Sequence, residues 1–117
     1  MIDQIYHYKA HVVYVYDGDS VTVDIDLGFN TWMRNQKIRF YGIDTPELRG
    51  EERPDGLIAR DRLRDLIDDK EIIIKSYKDK SGKYGRWLAT IFIEEEDGTY
   101  TNINDLLLKE GLAEHYK

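Results

Sequence analysis

The 117 residues, 41% hydrophobic and 34% charged, predict one domain over 1–117 with a core of its own, and argue against both a disordered chain and a two-domain arrangement. The absence of cysteine removes disulfides, thiolate chemistry and Cys-ligated zinc. A net charge of −6 disfavours diffuse attraction to a polyanion, so nucleic acid, if bound, must be held by a local set of cations or through a metal ion.

The opening segment Met1 to His7 lacks the basic start and apolar centre of a secretory signal, and no apolar run is long enough to span a bilayer. These features favour the cytoplasm and no membrane partner, although a trimmed secreted form would read the same. Residues 8–16 and 20–27 are rich in Val, Tyr and Ile, and in the second run Val21, Val23, Ile25 and Leu27 alternate with Thr22, Asp24 and Asp26. Two antiparallel strands joined at Asp17-Gly18 follow from that pattern. Residues 28–36 are expected to form a long hairpin loop, with Trp32 and Met33 packing onto the body of the protein, before a third strand from Lys37 to Ile43.

Pro46 and Pro54 then bracket a polar loop. From Gly56 to Asp68 the apolar residues Ala59, Leu63, Leu66 and Ile67 form one helical stripe, opposite a face of Arg60, Asp61, Arg62, Arg64 and Asp65 expected to be solvated. Strands follow near 71–77 and 87–94, a turn at Asp97-Gly98, and a short helix over 103–110 closed by Gly111. The order predicts a mainly β fold with helices (α+β): a five-stranded barrel of the oligonucleotide-binding (OB) type with two or three flanking helices.

Charge is delivered to this plan by three separated segments: Asp17-Gly18-Asp19, the run from Arg39 to Asp44-Thr45-Pro46-Glu47, and Lys83-Tyr84-Gly85-Arg86. Each has an ordinary explanation. Asp-Gly supplies a hairpin turn, Asp-Thr-Pro an Asx turn at a strand end, and Arg86 a surface charge. Together they suit phosphodiester chemistry. Asp19 and Asp44, if close, repel unless a cation lies between them, and an all-oxygen site suits Ca²⁺ or Mg²⁺ rather than zinc. Arg39 is five residues from Asp44, so facing the same way requires a bulge or twist, for which Gly42 is suited. Tyr84 offers a ring for stacking on a base. His7, His11 and His115 are too scattered for a metal site.

In their order and separation these motifs, with Gly111-Leu112-Ala113 near the end, resemble the thermonuclease or staphylococcal nuclease-like family over nearly the whole chain. The resemblance implies an OB barrel and a Ca²⁺-dependent phosphodiesterase, with Mg²⁺ a poorer fit, acting on DNA and RNA and leaving 3′-phosphate ends; a monomer acting on single strands above duplex is the accompanying expectation. It implies Asp19, Asp44 and the Thr45 carbonyl as metal ligands and Glu47 as general base. It further implies Arg39 and Arg86 as phosphate-binding arginines and Tyr84 as a nucleotide contact. Departures are a longer second hairpin, Gly82 where an acidic residue is common, and an end at Lys117 without a further helix. The rival readings are a non-catalytic barrel that binds nucleic acid or protein, and an acidic Ca²⁺ module that would leave both arginines idle.

Overall fold

The computed structural model describes residues 5–81 and 85–116, with backbone alone for 78–81. Strand β1 (His7–Asp17) turns at Gly18 into β2 (Ser20–Asp26), which pairs antiparallel with β3 (Trp32–Phe40). After the two-residue β4 (Ile43–Asp44), a 3-10 turn over 50–52 leads into helix α1 (Arg53–Ile67). The chain continues with β5 (Glu71–Ser81), β6 (Trp87–Glu94), β7 (Tyr100–Asn102), α2 (Ile103–Lys109) and β8 (Glu114–His115).

The sheet order β3-β2-β1-β5-β6 closes through parallel pairing of β3 with β6, giving a five-stranded barrel with β7 added beside β6. Closure pairs the end of β3 with the start of β6 and places one apolar face of each of the five barrel strands inside. Val12 and Val15 of β1, Val21 and Val23 of β2, Ile38 and Phe40 of β3, Ile72 and Ile74 of β5 and Ile91 of β6 fill that interior. Leu27, expected to continue the inward face of β2, is exposed beyond the strand end.

The expected long loop over 28–36 is instead a tight turn followed by strand. Leu27 N–H donates to the Thr31 carbonyl at 2.9 Å, and β3 starts at Trp32. Its alternation is concealed by a bulge. Asn35 takes a left-handed conformation (φ 55°), its N–H donates to Asp24 Oδ1 at 2.9 Å, and the register against β2 shifts between Val23 and Ile25.

Helix α1 starts earlier than expected because Pro54 sits in the first turn, where the missing N–H costs nothing. Ala59, Leu63 and Ile67 are fully buried at four-residue spacing, and burying each of the two larger side chains stabilises by about 2 kcal/mol. The opposite face is less solvated than its charges suggest. Arg62 donates two 2.8 Å bonds to Glu110 beyond α2, and Arg64 donates to the Val15 carbonyl at 2.9 Å. Asn102 caps α2 by accepting from Asp105 N–H, and Gly111 follows with φ 75°, as a helix stop requires. Among the described residues, no helix is long and apolar enough to cross a membrane.

Candidate active site

Strand register builds the site. Ser20 lies opposite Arg39 across β2 and β3, and Arg39 lies beside Leu88 across the closing pair, so the start of β2, the end of β3 and the start of β6 meet. Phe40 N–H donates to the Asp19 carbonyl at 2.9 Å and fixes the turn against β3. Between β3 and β4 the backbone kinks at Gly42 (φ 77°), which brings Arg39 and Asp44 onto one side despite their five-residue spacing.

Two glycines set how closely the remaining segments approach. A Cβ on Gly18 would lie 2.8 Å from Ala59 Cβ and 2.9 Å from both Thr45 Oγ1 and Cγ2. Gly18 is therefore needed for space rather than for a left-handed turn. A Cβ on Gly56 would lie 2.4 Å from the Glu47 carbonyl oxygen. Helix α1 thus presses against the Asp44–Glu47 loop from beneath, and only glycine permits that depth.

The contacts at the centre are short. Arg39 Nη1 lies 2.7 Å from Asp19 Oδ2, and Arg39 Nη2 donates to Asp44 Oδ1 at 3.3 Å. The first contact is an ion pair with an imperfectly aligned N–H. Thr45 N–H donates to Asp19 Oδ2 at 3.0 Å, Ser20 Oγ donates to Asp19 Oδ1 at 3.3 Å, and Arg86 Nη1 donates to Ser20 Oγ at 3.2 Å. Asp19 is 5% exposed as a residue, whereas the Asp44 side chain is 57% exposed. One carboxylate is locked and the other faces solvent.

The sequence-predicted residues Asp19, Arg39, Asp44 and Thr45 are thus in direct contact, and Arg86 joins them through Ser20. Glu47 is exposed on the same loop, where its charge helps to raise the Asp44 carboxyl. Tyr84 lies outside the described residues, as do Gly82 and Lys83. Sequence reasoning missed three participants. Asp17 Oδ1 accepts from Asp19 N–H at 3.1 Å, and its carboxyl is pushed up to about 7, first by burial and then by the neighbouring Asp19. Its only signal was the Asp-Gly-Asp motif, which a turn already explains. Ser20 is the second. The third is Tyr116, whose ring lies 5.3 Å from the Arg39 guanidinium because β8 pairs with β4 and Tyr116 N–H donates to the Gly42 carbonyl.

Among the described residues, no group of three or more His, Cys, Asp or Glu side chains is set to enclose a metal ion. The donor set nevertheless fits a hard cation that keeps part of its water shell. Asp44 is raised by partial desolvation and then by Asp19, against the opposing pull of Arg39, and among the described residues the buried Thr45 Oγ1 has no hydrogen-bond partner.

Residues 37–117 match the family model for staphylococcal nuclease homologues. The chain is similar to an uncharacterized protein of Methanocaldococcus jannaschii, 32% identical over an alignment of 136 positions that covers 98% of this chain and 62% of that protein. It is also 31% identical to a thermonuclease of Staphylococcus hyicus, over 87% of this chain and 56% of the relative. A micrococcal nuclease of Shigella flexneri is 28% identical over 94% of this chain and 59% of its own length. The chain therefore spans little more than half the length of these relatives.

Proposed function

This chain belongs to the staphylococcal nuclease homologue family, and from that premise we propose that it hydrolyses phosphodiester bonds of DNA and RNA, single strands in preference to duplex, leaving 3′-phosphate ends. The observation that carries the reading is the convergence of Asp19 and Asp44, 25 positions apart in the numbering, on the Arg39 guanidinium, with Arg86 one hydroxyl away. A purely structural acidic cluster has no need of the second arginine.

Asp19, Asp44 and the Thr45 carbonyl would hold Ca²⁺ in preference to Mg²⁺, and the ion when bound supplies charge neutralisation at the scissile phosphate. Arg39 and Arg86 donate charge-assisted hydrogen bonds to phosphoryl oxygens as negative charge builds on them. Arg39 already commits nitrogens to Asp19 and Asp44, so its remaining N–H directions reach the phosphate from a fixed position. Glu47, exposed at the mouth, takes the proton of the attacking water. The water oxygen bonds to phosphorus, the P–O5′ bond breaks, and the 5′ oxygen leaves with a proton from solvent.

The test is a dye-labelled single-stranded oligonucleotide incubated with the protein and Ca²⁺, then with chelator. Cutting that stops on chelation and yields ends that block polymerase extension until dephosphorylated is expected. Retention of the oligonucleotide without cutting would replace the hydrolase by a binding module.

A further inference from the structure

Two cavities of nearly equal volume border the site, and their linings differ in charge. One, about 390 Å³, is lined by Asp44, Glu52, Asp55 and Glu114 among others and repels a polyanion. The other, about 400 Å³, is bounded by Tyr14, Tyr16, Thr22, Lys37, Ser20 and Arg86. Among the described residues, no carboxylate lines it. In a chain of net charge −6, that makes it the one of these two cavities suited to nucleic acid.

The cavity is a product of β1 bulges. The register against β2 slips between Val12 and Tyr14 and again between Val15 and Asp17. Val12 and Val15 consequently both point into the core, while Tyr14 and Tyr16 point outward, 52% and 60% exposed. Tyr14 pairs with Thr22, and Thr22 pairs with Lys37, forming a row across the outside of the barrel. Tyr16 directly precedes Asp17, and the floor continues through Ser20 to Arg86. Arg64 braces this wall. It donates to the Val15 carbonyl at 2.9 Å and lies 5.6 Å from the Tyr14 ring centre.

We propose that this groove is a base-stacking subsite for the nucleotide adjoining the scissile phosphate, with Tyr16 and Tyr14 against the base and Lys37 on the next phosphate. The inference rests on the hydrolase reading for which phosphate is scissile, but the groove's affinity for nucleic acid stands separately. Its occupant is single-stranded, because a base inside a duplex has both faces already covered and cannot stack on a tyrosine. Continuity with the site through Ser20 and Arg86 distinguishes the groove from an isolated aromatic patch.

The experiment is fluorescence anisotropy in chelator, where cutting is suppressed, with a labelled single-stranded decanucleotide and an abasic deoxyribose-phosphate strand of equal length. The wild type is expected to bind the base-bearing strand about tenfold more tightly than the abasic one. The Tyr14→Ala/Tyr16→Ala variant should bind the base-bearing strand about tenfold more weakly and no longer distinguish the two strands. Tyr14→Phe/Tyr16→Phe, which keeps the rings, should restore the distinction. Both tyrosines are exposed, and a thermal melt within the wild-type range certifies the fold. Unchanged affinity, retained discrimination in the alanine variant, or no binding by the wild type overturns the groove. Failure of the wild type to cut in Ca²⁺ falls on the hydrolase reading alone, since the anisotropy result is read without turnover.

Discussion

Glu110, Asp24 and Asp97 hold their protons less tightly than an isolated carboxylate, whereas Asp17 and Asp44 hold theirs more tightly. The first group is governed by donated hydrogen bonds: Arg62 on Glu110, the Asn35 backbone on Asp24, Thr99 on Asp97. The second group is governed by burial, reinforced in both cases by Asp19. Away from the site, the protein gives these acids a partner. At the site it packs three acids around one arginine, the arrangement that the cation-assisted hydrolysis proposed above would use.

Arg39→Ala should break this contrast most severely, because it acts on two readouts. Asp19 would keep a buried charge without its 2.7 Å ion-pair partner, at a cost of about 3 kcal/mol in a urea titration. Loss of a phosphate donor should lower turnover by about 10² to 10³ as well. Arg39→Lys restores the charge but not the fork that spans Asp19 and Asp44, so it should recover stability better than rate. Equal recovery of both would remove the case for forked recognition.

Glu47→Gln comes next, since it touches rate alone. Glu47 is exposed and its backbone N–H, not its carboxylate, makes the loop contact to Glu52 Oε1 at 3.3 Å. Turnover on an oligonucleotide should fall by roughly 10² to 10⁴ while the unfolding midpoint and Ca²⁺ affinity by calorimetry stay near wild type. A parallel loss of Ca²⁺ affinity would move Glu47 from the proton to the cation. Gly56→Ala is smaller and acts through geometry. Alanine gains about 1 kcal/mol of helix propensity over glycine, but its Cβ would sit 2.4 Å from a backbone oxygen that cannot swing aside. Overpacking wins, and a net loss of about 2 kcal/mol is expected in urea. An unchanged or raised midpoint would show that the Asp44–Glu47 loop yields to the added methyl.

The sequence disclosed the barrel wherever period two survived, as in Val21, Val23 and Ile25, and both helices wherever an apolar stripe or a Gly111 stop was present. It failed at bulges. Asn35 on β3 broke the alternation that would have started the strand at Trp32, and the slips around Val13 and Tyr16 on β1 hid which tyrosines face out. The two-residue strands β4 and β8 are too short for any periodic signal, so the approach of Tyr116 to Arg39 was invisible. Motif spacing made Asp19, Arg39 and Asp44 legible as a set. Asp17 was not, because its perturbation comes from burial under tertiary packing, which no local pattern records.

The smallest effect tests the ordinary side of the contrast. Glu110 receives two 2.8 Å bonds from Arg62, joining α1 to the end of α2, and its carboxyl lies below the ordinary value of 4.5, chiefly through that hydrogen bond. A depressed acid contributes stability that is complete above its unfolded value and fades as pH falls through its lower folded value. The raised acids carry the opposite sign, since the folded state holds their protons longer and their cost grows as pH rises above the ordinary 3.8. Glu110→Gln should therefore lower the urea midpoint slightly at neutral pH, with the difference from wild type shrinking as pH is brought below about 4.5. The pair is solvent-accessible, so added salt should weaken it as well. A difference that persists unchanged into acid would mean that Arg62 holds the two helices together by packing of its stem and not by the charge it shares with Glu110.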